Sequence, residues 1–125
     1  MVRMRSILLV DASSSTRQNL KQIFENSDFV FDEGSTGTDA VEMCKKKTYD
    51  LVIMGLAMPE MHGIEALQKI KEINSAIKVI IITSLAEREL VVRAAKAGAA
   101  DFVVTPFEPR RVMASVKKAL SIISE

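Results

Sequence analysis

The stretch DLVIMGLAMPEMHG, residues 50–63, contains a strand, its end and the start of a helix. Leu51, Val52, Ile53 and Met54 form a continuous apolar run, as in a strand covered on both faces. Gly55 ends the run, Met58 and Pro59 turn the chain, and a helix opens at Gly63.

Working outward, the same alternation recurs along the chain. Ile7 to Val10, Phe29 to Phe31, Val79 to Ile82 and Phe102 to Val104 are further short apolar runs, mostly continuous and rich in β-branched residues. Amphipathic stretches separate them. Leu20, Ile23 and Phe24 make one helical stripe, and Ala40, Val41 and Cys44 another. Ile64, Leu67 and Ile70 make a third. A fourth helix runs from about Glu87 to Ala97 and stops at Gly98, a C-terminal glycine. Val112, Val116, Leu120 and Ile123 form the last stripe, with Pro109 suited to its first turn. The order predicts a single α/β domain over residues 1–125, a doubly wound parallel sheet of (βα)5 type. Right-handed crossovers put helices on both faces, and the expected strand order is the flavodoxin-like 2-1-3-4-5.

Composition narrows the function classes. The formal charge of +1 gives no field that would draw nucleic acid or an anionic membrane. Cys44 is the lone cysteine, so no intramolecular disulfide forms. No apolar run is long enough to span a bilayer, and MVRMRSILLV enters a strand with no cleavage-like site. A soluble cytoplasmic domain is expected.

In such a sheet, ligands bind beyond the carboxyl ends of the strands at the topological switch point. The strand ends offer Asp11 and Ala12, Gly55, Thr83 and Thr105, which are expected to meet in one crevice.

Four fragments together resemble the response-regulator receiver domain (CheY-like) of two-component signalling. They are ILLVDASSSTR, DLVIMGLAMPEMHG, VIIITS and KAGAADFVVTPF. The resemblance covers the whole chain. It implies a phosphoacceptor aspartate at the end of the third strand, where this chain has Gly55. It implies a pair of acids after the first strand, where Asp11 stands but Ala12 replaces the metal-contacting one. It implies a lysine before the fifth-strand proline, where Thr105 stands. The switch hydroxyl, Thr83, and the switch aromatic, Phe102, are kept.

These departures remove the chemistry. Aspartyl phosphorylation needs a carboxylate nucleophile in line with the donor, and Gly55 has no side chain. Mg²⁺ takes oxygen ligands with one or two carboxylates, and Asp11 alone is a weak remnant of that set. A lysine beside a phosphoryl group contributes roughly 4 kcal/mol at 4 Å and an effective dielectric of 20, and threonine carries no charge. No metal and no cofactor is therefore expected, with Mg²⁺ absent or weak, and no catalytic constellation marks an enzyme.

Simpler roles are available for most of these side chains. Asp11 is expected to accept hydrogen bonds from the following turn, and one of Ser13, Ser14, Ser15 and Thr16 to cap the first helix. Thr83 and Phe102 are equally explained as packed residues. His62 is expected as a solvated loop residue and Cys44 as a small core residue. Lys45, Lys46 and Lys47 suit a helix C-terminus.

Leu90, Val91 and Val92 cannot all share one narrow stripe, so part of the fourth helix faces outward. The resemblance implies that the fourth helix, fifth strand and fifth helix form a face for targets or for a homodimer. Leu85, Val92, Phe102, Arg110, Arg111 and Lys117 are its candidates. The leading reading is a degenerate receiver in a phosphorelay pathway, unphosphorylated on aspartate, with a histidine kinase or an output protein as partner. Two alternatives stand beside it: a small-molecule or anion-binding domain using the vacated crevice, and a phosphorelay receiver with an unusual acceptor.

Overall fold

A strand that is apolar on both sides needs cover on both, and that requirement organises the molecule. In the computed structural model, which describes residues 4–122, strands and helices alternate. They are β1 (Arg5–Val10), α1 (Ser14–Ile23), β2 (Phe29–Gly34), α2 (Gly37–Lys46), β3 (Leu51–Gly55), α3 (Gly63–Ile73), β4 (Lys78–Thr83), α4 (Arg88–Lys96), β5 (Asp101–Val104) and α5 (Pro109–Ala119). The strands form one parallel sheet in the order β2-β1-β3-β4-β5, the flavodoxin-like arrangement expected from the sequence.

Side chains alternate across the sheet and build two apolar layers. Leu8, Val10, Val52, Met54, Val79 and Ile81 pack with α2 and α3 residues such as Ala40, Cys44, Leu67 and Ile70. Ile7, Leu9, Leu51, Ile53, Ile80 and Ile82 pack on the other side with Leu20, Phe24, Val112 and Val116. All these side chains are buried. At roughly 1.5–3 kcal/mol for each large aliphatic side chain removed from water, this double core is the main stabilising contribution.

Several boundaries differ from the expectation. β1 begins at Arg5, paired with Phe29, and β2 runs on to Gly34, with the Asp32 and Glu33 carboxylates held by partners outside the strand. α5 ends at Ala119, with Leu120 as its C-cap. Ile123, on the expected last stripe, lies outside the described residues.

Two glycines are set by geometry. A Cβ on Gly63 would collide with the Gly55 carbonyl oxygen, so α3 can start against the end of β3 only here. Gly98 ends α4 at φ +101°, the left-handed region. No helix among the described residues is long and apolar enough to cross a membrane.

Candidate functional site

Parallel register brings the strand ends level. Val10 lies beside Met54, Gly55 beside Ile82, and Thr83 beside Val104. The chain therefore leaves β1, β3, β4 and β5 around one hollow of about 220 Å³. Asp11, Thr16, Gly55, Leu56, Ala57, Ile82, Thr83, Ser84 and Thr105 line it. Four of the expected positions thus converge: Asp11, Gly55, Thr83 and Thr105. Ala12 is exposed and outside this lining.

Among the described residues, the Asp11 side chain is anchored through one oxygen. Oδ1 accepts the Ser13 N–H at 2.9 Å, the local role expected from the sequence. Ser13 in turn caps α1, its hydroxyl accepting the Thr16 N–H at 3.3 Å. Oδ2 leans over the end of β3, 2.8 Å from where a Cβ on Gly55 would stand. The Asp11 carboxylate thus occupies space that a side chain at position 55 would need.

Thr83 is buried, and its hydroxyl accepts the Leu85 N–H at 3.1 Å. Its carbonyl accepts the Thr105 N–H at 2.8 Å, tying β4 to the chain after β5. The Thr105–Pro106 peptide is cis. Phe102 is half-buried and packs against the α3-side core layer, away from the crevice lining.

The donor set does not fit Mg²⁺. That ion demands near-octahedral oxygen ligation built on carboxylates. The crevice lining supplies one carboxylate and three neutral threonines, with Ser84 beside them. Among the described residues, no three His, Cys, Asp or Glu side chains are grouped to hold a metal ion.

Charged contacts that the sequence did not reveal frame this end of the molecule. The Arg17 guanidinium donates to the Asp11 carbonyl and, at 2.8 Å, to the Glu33 carboxylate, which Lys21 also meets. Lys21, then Arg17, holds the Glu33 carboxyl below its ordinary range. The i, i+4 spacing of Arg17 and Lys21 was the available signal. His62 is exposed as expected, yet its Nδ1 accepts the Ile64 N–H at 3.2 Å and caps α3. Cys44 is buried, and burial pushes its thiol up to about 11. Lys45 and Lys46 lie in the last turn of α2, and Lys47 pairs with Asp32 at 3.0 Å.

The expected partner face divides in two. Leu85 and Val92 are exposed, as are Val91, Val104 and Arg110. Arg111 makes a two-pronged contact with Asp101, at 2.8 and 3.0 Å, and Ser115 donates to the same carboxylate at 2.7 Å. Lys117 stands apart from Arg111. It lines a separate hollow with Arg5, Phe24, Phe29 and Met113. Six residues beyond Arg111, it lies about 120° away around α5, so Arg111 and Ser115 face β5 while Met113 and Lys117 line the hollow with Phe24 and Phe29.

Comparison with known proteins agrees with this architecture. The response regulator receiver domain family matches residues 7–117. The chemotaxis protein CheY of Bacillus subtilis is 39% identical over 116 residues, 92% of this chain and 97% of that protein. A CheY-like receiver from Methanospirillum hungatei superposes with a TM-score of 0.90 at 25% identity, covering 95% of each chain. A CheX–CheY–BeF3–Mg²⁺ complex from Borrelia burgdorferi gives 0.87 at 30% identity, covering 96% of this chain and 90% of that one. The chain belongs to the response regulator receiver domain family of two-component signalling.

Proposed function

We propose that this receiver works by binding protein partners and carries no phosphoryl group on aspartate in its crevice. The observation behind this is the end of β3, where Gly55 offers no nucleophile and the Asp11 carboxylate fills the adjoining space. Neither Thr105 nor any other lining residue supplies a cation to balance a phosphoryl group. On this reading the chain is not an enzyme, binds Mg²⁺ weakly or not at all, and acts in the cytoplasm.

The partner is a histidine kinase or an output protein. The exposed apolar side chains Leu85, Val91, Val92 and Val104 form a contact surface on the loop after β4, on α4 and on β5, open also to a second copy of the chain. The CheX–CheY complex of Borrelia burgdorferi supports protein pairing by a related receiver. The crevice charge argues against the alternative of an anion ligand, since its one ionisable lining group is a carboxylate.

Incubation with acetyl phosphate and Mg²⁺, read by intact mass, tests the proposal. Unchanged mass is expected. An added phosphoryl group would overturn it and favour an unusual acceptor.

A further inference from the structure

We infer that the crevice is a site for a primary ammonium group on a short alkyl chain. This goes beyond the partner-binding reading, and its readout is separate from phosphorylation.

The charge balance carries the inference. Among the lining residues Asp11 is the one charged side chain, and no cation accompanies it. The nearby Arg17 guanidinium is committed to the Asp11 carbonyl and to Glu33. At the start of α1, Asp11 Oδ1 accepts the Ser13 N–H and the Ser13 hydroxyl accepts the Thr16 N–H. What remains is Asp11 Oδ2, which leans over the end of β3 beside Gly55. Thr16, Thr83, Ser84 and Thr105 provide oxygens around the same hollow.

The geometry selects among cations. An ammonium has three donors that can be shared between one carboxylate oxygen and surrounding hydroxyls. A guanidinium prefers a carboxylate with both oxygens free, and Oδ1 is already engaged. Mg²⁺ lacks its carboxylate set. A quaternary ammonium donates no hydrogen bond. Leu56, Ala57 and Ile82 lie among the lining of this hollow of about 220 Å³ and give a short alkyl chain apolar neighbours.

The test is an NMR titration of the full chain with ethylammonium chloride at neutral pH. Tetramethylammonium chloride, KCl and MgCl₂ at matched ionic strength form the other arms. The expected result is a saturable shift of the Leu56, Ala57, Ser84 and Leu85 amides with ethylammonium alone. Asp11→Asn should weaken it about tenfold or more. Thr105→Lys should do the same by supplying a tethered ammonium of its own. Because Asp11 also anchors the turn into α1, Thr105→Lys decides the matter if Asp11→Asn does not fold. An equal response to tetramethylammonium or K⁺, tighter binding of Mg²⁺, or undiminished binding by Thr105→Lys overturns the inference. Phosphorylation seen by mass would sink the proposed function and leave this titration readable.

Discussion

Asp11 Oδ2 stands 2.8 Å from the position a Cβ on Gly55 would take. A side chain introduced at residue 55 must therefore displace a carboxylate whose other oxygen is held by the Ser13 amide. Gly55→Asp adds like-charge repulsion to that crowding. Moving the carboxylate off its bond to the Ser13 amide costs about 1 kcal/mol. Urea unfolding should place Gly55→Asp below Gly55→Ala in stability, and both below wild type. A more stable Gly55→Asp protein would show that Asp11 moves aside freely.

Mg²⁺ should leave thermal stability unchanged. An ion that binds the native state raises its melting temperature by mass action, and a crevice with one carboxylate gives Mg²⁺ little to bind. Scanning calorimetry with and without millimolar MgCl₂ checks this. A clear rise with Mg²⁺ contradicts the proposed loss of the metal site.

Asp101 gives the fold a pH-dependent contribution. Arg111, foremost, and then Ser115 and the Phe102 N–H lower its carboxyl from 3.8 to about 2, against the opposing effect of burial. A depressed carboxyl stabilises the fold above pH 3.8, and the contribution is lost as pH falls toward about 2. The site is partly exposed, so solvent screening reduces the contribution to about 1 kcal/mol. Denaturation between pH 5 and 2 should show a shallower acid loss in Asp101→Asn than in wild type. An identical acid limb would rule Asp101 out as a contributor.

Tyr49 joins α2's end to β2. Its hydroxyl donates to Asp32 at 2.6 Å, and the Lys47 ammonium lies 5.2 Å from the ring centroid. Burial, then the Asp32 contact, raises the phenol above its ordinary range. Tyr49→Phe keeps the packing and removes the charge-assisted bond, which should lower stability by about 1.5–3 kcal/mol. Guanidinium unfolding at pH 7 measures it, and no loss would mean that water replaces the bond.

Gly98→Ala should lower stability by about 1 kcal/mol. Its φ of +101° strains any L side chain, and a Cβ would meet the Lys71 side chain at 3.3 Å. Lys71 has little room to yield, because its ammonium donates to the Ser75 and Ile77 carbonyls. Thermal melting checks the variant, and an unchanged midpoint would show that the α4 turn relaxes.

The sequence carried most of the architecture because parallel strands are apolar on both faces and need no knowledge of their partners. Leu51 to Met54 and Val79 to Ile82 are examples, and the strand order follows from short right-handed connections. The gathering of Asp11, Gly55, Thr83 and Thr105 was readable for the same reason. What escaped depends on partners distant in sequence. Asp32 and Glu33 have the composition of a turn, yet β2 continues through them, with their carboxylates held by Lys47, Tyr49, Arg17 and Lys21. Arg111 looked like a free docking cation until Asp101 met it. The separation of Lys117 from Arg111 follows from their spacing along α5, about 120° around the helix. The lean of Asp11 toward Gly55 depends on a side-chain rotamer, which no sequence pattern encodes.

Leu8 and Leu9 are covalent neighbours, yet one belongs to the layer under α2 and α3 and the other to the layer under α1 and α5. The sheet between them is a wall through which a void cannot be refilled. Shortening Leu8 leaves a gap that only residues such as Val52 or Val79 can close, and enlarging Ile53 or Ile80 does nothing for it. Compensating substitutions should therefore arise within a layer and not across the sheet. The two halves of the interior can drift apart over time while the backbone that separates them stays the same.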